Sequence, residues 1–281
     1  DIDFYNYTYM TFDIWALRYL YSYDGSSYQT PNVTDDESYG IGGTGDNTYT
    51  ISGTNATGSF SIFDTGGTDT LDFSTLSLGS TINLVGGASG TLSYIGSSVI
   101  KYDGGEEYTG LIIGIYYENS IENVNAGSGN DIITCNSSAN VINCGSGIDI
   151  VNSVASGDTI NGNDGNDGFN VTHNGFTLID GGAGTDTLYL YHGYSANSSG
   201  TYSGYIDLRT YTDAQLTNIE YIDITYDNVA TALILTKTSI NDLEGTLVDV
   251  DGDGDDDNIV YITASSNDTI TVFPNQGWVY V

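Results

Sequence analysis

Residues 126–170 read AGSGNDIIT, CNSSANVIN, CGSGIDIVN, SVASGDTIN and GNDGNDGFN, five nine-residue units in unbroken register. Position 6 of successive units is Asp131, Asn140, Asp149, Asp158 and Asp167. Position 8 is Ile133, Ile142, Val151, Ile160 and Phe169, and position 9 is Thr134 followed by four Asn. One apolar position per unit gives one inward side chain. The remainder is a turn of six residues and a strand of about three, because side chains alternate along a strand. Glycine serves the turn, where backbone with φ > 0 excludes most side chains.

Two such units make one coil, and coils stack about 4.8 Å apart. Successive turns then fall on opposite edges, and turns two units apart lie above one another. The expected fold is all-β, a parallel β-roll. Stacked turns present backbone carbonyls and position 6 carboxylates to each other, and calcium takes six to eight such oxygens. A solenoid without metal, its glycines serving only the turns, is the plainer alternative. It leaves the recurring acidic positions to repel one another.

Alternation sorts the candidate calcium ligands. One edge collects Gly127, Gly129 and Asp131, then Gly145, Gly147 and Asp149, then Gly165 and Asp167. After a ten-residue unit, Val171–Asp180, the unit GGAGTDTLY (181–189) returns to that edge with Gly182, Gly184 and Asp186. The other edge carries YENSIE (117–122), CNSSAN (135–140) and SVASGD (153–158), with Asp158 but few glycines and Asn140 in place of an acid. One edge is expected to be rich in calcium and the other poor. Upstream, DTGGTDTLDF (64–73) is a further Gly-Asp turn and offers Asp64 and Asp69. Downstream, Asp249, Asp251, Asp253, Asp255 and Asp257, with Gly254, copy the first half of an EF-hand loop. Position 12 of that loop is Val260, so it is no EF-hand. It is either a calcium loop in a β context or a solvated acidic turn.

The 281 residues carry 37 Asp+Glu against 4 Lys+Arg, a net charge of −33. The four are Arg18, Lys101, Arg209 and Lys237, too few for a basic patch, which excludes nucleic acid and anionic membranes as partners. Such a charge opposes compaction. Divalent cations relieve it, and adaptation to salty water is the bland reading. No 18-residue apolar run is present, so membrane insertion is not expected. The opening DIDFYNYTYM is not a signal peptide. A leader has been removed, the chain exits by another route, or it is part of a longer protein. Cys135 and Cys144 occupy position 1 of adjacent units, on opposite edges, so they are not expected to pair.

The remainder divides into an N-terminal helix (11–21, TFDIWALRYLY) and linker over 1–46, a β-rich and sandwich-like lead-in over 47–117, the roll over 118–190, and a C-terminal β domain over 191–281.

Four stretches carry a family resemblance: YMTFDIWALRYLY (9–21), GDNTYTI (45–51) with SIFDTGGTDTLDFSTLSLGSTINL (61–84), IENVNAGSGNDIITCNSSANVINCGSGIDIV (121–151) and LTNIEYIDIT (216–225). The first resembles the last helix of the protease domain of serralysin-type secreted metalloproteases, the second that family's entry into its C-terminal calcium-binding (RTX) domain, and the third its roll, in the family's order. The fourth resembles large secreted RTX surface proteins. The resemblance implies several calcium ions as cofactors, export from the cell by type I secretion, and folding outside it. The family's zinc motif, H-E-x-x-H, is absent here; His173 and His192 are nineteen apart and read as ordinary turn or surface residues. Without a catalytic site, the chain is expected to be an extracellular structural protein of surface-layer, fibre or adhesin type, able to self-associate. The alternative is the C-terminal fragment of a serralysin-like protease. A glycan-binding role for the 24 tyrosines has no motif behind it.

Overall fold

The computed structural model describes residues 44–51, 58–62, 64–86, 92–95, 111–115, 120–172, 175–190, 205–211, 215–225, 232–236, 243, 246–248 and 257–272. The expected helix at 11–21, both histidines and residues 249–256 of the acidic loop lie outside them. The described residues are all-β, with one 3-10 turn at Leu208–Thr210. The chain forms two compact units, Asp1–Gly145 and Ser146–Val281.

Strands in both units pair mainly in parallel, which is the pairing a β-roll requires. In the first unit Thr48–Thr50, Thr70–Asp72, Asn123–Asn125 and Val141–Asn143 align Tyr49, Leu71, Val124 and Ile142 across one sheet. In the second, Ile150–Val154, Gly168–Val171, Thr187–Leu190, Tyr221–Asp223 and Tyr261–Thr263 align Val151, Phe169, Leu188, Ile222 and Ile262. Thr159–Asn161, Leu178–Asp180 and Leu216–Thr217 form another parallel set, aligning Ile160, Ile179 and Leu216. Asn123 pairs with Val141 and Ile150 with Gly168, a step of two nonapeptides in each case. The next partner of Gly168 is Thr187, one residue further on, because the intervening unit has ten residues.

The lead-in differs from a separate sandwich. Thr48–Thr50 and Thr70–Asp72 extend the sheet that contains Asn123–Asn125, and Ser80–Asn83 pairs in parallel with Ile132–Thr134. Its antiparallel part is local: Leu92–Ile95 lies between Ser80–Asn83 and Leu111–Ile115. The physical reason is spacing. Tyr49, Leu71 and Ile82 stand two residues after a turn residue, as position 8 does in the repeats, and all three are buried. Beyond the repeats, Tyr205–Asp207, Ala232–Leu235 and Thr269–Val272 make a small parallel sheet. Thr246–Val248 pairs antiparallel with Asp257–Ile259 on either side of the acidic loop.

Each repeat position has a distinct burden. Position 8 is buried throughout: Val124, Ile133, Ile142, Val151, Ile160 and Phe169 are all 0% exposed. Position 7 faces outward, and Ile132 and Val141 are exposed. At position 9 Asn143, Asn152 and Asn161 are half-buried and Asn170 is buried, and these asparagines bond across strands. Asn143 Nδ2 donates to Asn125 Oδ1 at 2.8 Å, and Asn170 Nδ2 to Asn152 Oδ1 at 2.8 Å. An amide donates through its nitrogen and accepts through its oxygen, so each Asn can bond to the next along such a row, which suits the recurring Asn. The turns stack closely enough to dictate glycine. Gly165 has φ +153°, and a Cβ there would overlap the Gly147 carbonyl oxygen; Gly184, φ +147°, would meet the Gly165 carbonyl in the same way.

Phe169→Ala should therefore cost about 3–5 kcal/mol in urea unfolding, while Ile132→Ala should stay within about 0.5 kcal/mol. Comparable losses would contradict the assignment of positions 7 and 8.

Candidate metal-binding turns

The position 6 carboxylates of the second unit form a buried row. The backbone N–H of Asp149 donates to Asp167 Oδ1 at 2.8 Å, that of Asp167 to Asp186 Oδ1 at 2.7 Å, and that of Asp186 to Glu220 Oε2 at 2.7 Å. Asp149 and Asp186 are 0% exposed and Asp167 is 2% exposed. The parity of the repeat thus brings these three Asp together as expected. Each carboxylate reaches one turn back along the stack, so a single side chain ties two coils.

One oxygen of each pair is spent in this way. Asp167 Oδ2 and Asp186 Oδ2 are buried with no hydrogen-bond partner. Their surroundings supply further oxygens. The space above Gly162, which a Cβ would fill, is bounded by Asp167 Oδ2 and the Gly181 carbonyl; the equivalent space above Gly181 is bounded by Asp186 Oδ2 and the Asn218 carbonyl. A buried, half-satisfied carboxylate beside a carbonyl is costly without a counter-charge. Burial, opposed by the bond from Asp149 N–H, raises the Asp167 pKa to about 6. Burial raises Asp186 to about 7, with Asp167, Glu220 and Asp180 adding repulsion. Oxygen donors of this kind suit a hard cation and offer nothing to a soft one.

In the first unit Asp131 Oδ1 accepts from Ser80 N–H at 2.6 Å and Oδ2 from Gly127 N–H at 3.3 Å. Its pKa is raised, chiefly by burial. Asp69 lies in a second row. Asn47 N–H donates to Asp69 Oδ1 at 2.8 Å, and Asp69 N–H donates to Glu122 Oε2 at 2.9 Å. Asp64 has both oxygens engaged, by Tyr49 Oη at 2.5 Å and Gly66 N–H at 2.9 Å.

Asp158 closes its own turn: Ala155 N–H donates to Asp158 Oδ2 at 2.8 Å. Asn140 does likewise with a neutral group, accepting Asn136 N–H at Oδ1 and donating through Nδ2 to the Glu122 carbonyl at 3.0 Å. An aspartate could not make that donation, so the turn holds itself together without charge. Cys135 and Cys144 are both buried and form no disulfide, as their positions in adjacent units lead one to expect. Of the acidic loop, only Asp257 is described.

Glu122 and Glu220 are the ligand-type residues that the repeat pattern does not flag. Their turns lack glycine, yet each stands two residues before an inward side chain, Val124 or Ile222, as position 6 does. The signal was in the sequence: Ile121-Glu122-Asn123-Val124 and Ile219-Glu220-Tyr221-Ile222 share one spacing, and both leading isoleucines are 0% exposed.

Among the described residues no three His, Cys, Asp or Glu side chains form a metal-binding group. A cation here must draw on carboxylates from two turns together with backbone carbonyls. Among them, too, no helix is long and apolar enough to cross a membrane. No protein-family model and no curated protein sequence matches the chain.

The raised pKa values fix a sign. Groups with folded pKa near 6–7 and an ordinary value of 3.8 contribute stability that is fully present below about pH 4 and lost as pH rises through 7. In chelator, the β-signal in circular dichroism should therefore be greater at pH 5 than at pH 7.5. Asp186→Asn should reduce that difference. A β-signal that falls on acidification would show that these carboxylates are stabilised as anions by the protein alone.

Proposed function

We propose that this chain is a calcium-folded, non-catalytic extracellular structural protein of the RTX β-roll type. The observation that carries the reading is the buried row Asp149, Asp167, Asp186 and Glu220. Asp167, Asp186 and Glu220 each accept a backbone N–H with one carboxylate oxygen, and Asp167 and Asp186 keep the second oxygen against a carbonyl of the next turn. Calcium fits this donor set. It accepts irregular cages of carboxylate and carbonyl oxygen, whereas magnesium demands octahedral geometry and gives up water reluctantly. The residues that would hold it are Asp149, Asp167, Asp186 and Glu220, with the turn carbonyls between them.

Calcium supplies positive charge where burial has made negative charge costly. Each site filled at a hundred times its Kd adds about 2.7 kcal/mol. Three such sites match the whole stability of an ordinary domain. Cytosolic calcium is too scarce to fill sites of intermediate affinity, and extracellular calcium is not. The same chain would then stay loose inside the cell and fold once secreted. The sequence resemblance to serralysin C-terminal regions points the same way, and parallel pairing in both units agrees with it. Lacking any H-E-x-x-H, the chain itself has no means of zinc proteolysis. Surface-layer, fibre or adhesin duty, with self-association after calcium relieves the −33 charge, is the role that remains.

Chelator should abolish the β-signal in circular dichroism, and calcium should restore it while magnesium does so poorly. Asp167→Asn should raise the calcium midpoint of folding about tenfold or more, and Asn140→Ala should raise it far less, because it removes no calcium ligand. A spectrum indifferent to chelator refutes the proposal.

A further inference from the structure

Two tyrosines stand in register on the outer face of the second unit. Tyr221 and Tyr261 are partners in the parallel pairing of Tyr221–Asp223 with Tyr261–Thr263. Residues directly opposite on one face of a sheet bring their side chains together. Here the rings stack, with centroids 4.9 Å apart and planes 17° apart. Parallel register sends both side chains the same way, so the two phenol ends lie side by side. Both residues are exposed, Tyr221 at 37% and Tyr261 at 48%. The row along the sheet reads Thr187, Tyr221, Tyr261, and among the described residues no third ring extends it. Tyr189 shares the face but not the row. It is the partner of Asp223, and its ring lies over Gly168.

The pair sits where the stack is weakest. Tyr261–Thr263 is the last strand of its sheet among the described residues. Its inward residue, Ile262, is only half-buried, whereas Phe169, Leu188 and Ile222 in the same row are at most 1% exposed. The last coil therefore gains less from burial than those before it and is the first to open. Cys135 and Cys144 belong to the first unit and form no disulfide. No cystine within the chain can staple this coil, and the stacked rings hold it without a bond.

We propose that Tyr221 and Tyr261 are an oxidative cross-linking site, at which a one-electron oxidant of the peroxidase class, supplied with peroxide, joins the two rings. The oxidant takes one electron and one proton from each phenol. The two phenoxyl radicals pair their electrons in a carbon–carbon bond ortho to the phenol oxygens. The hydrogens displaced from the bonded carbons return to those oxygens through water. Two hydrogens leave the protein in all, and one peroxide becomes two waters. Exposure gives the oxidant access and the protons an exit. Register holds the two radicals as neighbours, so coupling within the pair outruns encounters between molecules. On a chain of net charge −33 such encounters are slowed further by repulsion. The bond closes a loop that contains the acidic stretch 249–257 and fixes the last coil to its neighbour, as a disulfide would. The proposal draws on the extracellular reading only for the supply of oxidant, since a secreted chain meets oxidising surroundings.

The test treats the full chain, in calcium, with a peroxidase and hydrogen peroxide, and follows folding by circular dichroism in the same samples. Dityrosine fluorescence gives the yield. Digestion with a protease that cleaves at aspartate, followed by mass spectrometry, identifies the linked residues. The chief product should join the peptides holding Tyr221 and Tyr261, lighter by two hydrogens, with a yield that dilution of the protein does not change. Tyr221→Phe and Tyr261→Phe keep the stacked rings and lack the phenol, and each should reduce that product to background. Tyr189→Phe should leave it unchanged. The linked chain should unfold at a higher urea midpoint than the Phe variants treated in the same way. Coupling scattered over other tyrosines, or formed only between molecules and rising with concentration, overturns the proposal. A chain that folds in calcium yet gives no Tyr221–Tyr261 product overturns this site and leaves the calcium reading standing. A chain that forms the product while its spectrum ignores chelator does the reverse.

Discussion

The constraint on which this structure depends is the bond from a turn's backbone N–H to the carboxylate of the turn stacked beside it. It recurs from Asn47 to Asp69, Asp69 to Glu122, Ser80 to Asp131, Asp149 to Asp167, Asp167 to Asp186, and Asp186 to Glu220. Parallel strands alone would let coils slip, because every strand is only a few residues long and its hydrogen bonds are repetitive. A charged acceptor at one fixed position sets the register instead, and hydrogen bonds to ionised groups are the stronger kind. The same choice creates the molecule's chief liability. Carboxylates are drawn into the stack, one oxygen is satisfied, and the other is left in a dry place. A fold of this kind needs an external positive charge or a proton at each such place.

Much of this could be read from the repeats. Val151, Ile160 and Phe169 are inward because one position in nine is reliably apolar. Asp149, Asp167 and Asp186 share a row because two units make a coil. The parts that were not legible are those where the period lapses. Ser80–Asn83 joins Ile132–Thr134 after a detour through an antiparallel hairpin, and nothing local in a four-residue strand tells parallel from antiparallel pairing. Glu122 and Glu220 were hidden because glycine was taken as the mark of a ligand turn. Their longer side chains reach the row from turns without it. Asp64 was the opposite case, a residue with a ligand's composition whose oxygens the structure assigns to Tyr49 and Gly66.

The position 9 asparagines were visible but unexplained until the strands were paired. Their side chains are half-buried, or buried at Asn170, and burial alone gives no reason for one polar residue type. Cross-strand pairs on a sheet stabilise by only about 0.2–1 kcal/mol each. A short strand in a parallel stack has few other means of resisting displacement, so repeated small terms matter. The amide row on the face and the carboxylate row on the edge enforce the same register from two sides.

The neutral turn at Asn140 shows what the acidic turns forgo. Asn136 and Asn140 satisfy each other, the Ile121 carbonyl and the Glu122 carbonyl with no charge at all. Such a turn is stable in any medium, which makes it a poor sensor. Its neighbours along the row could have been built the same way, yet Asp69 and Glu122 bring negative charge into a unit whose described residues supply no basic side chain. Stability alone does not ask for that. Charge buried without a partner makes folding conditional on what the solvent provides, and a conditional fold is useful only where the condition changes. If the proposed calcium-driven folding holds, the two kinds of turn divide the work: neutral ones fix the register in any medium, and acidic ones make the fold answer to the cation.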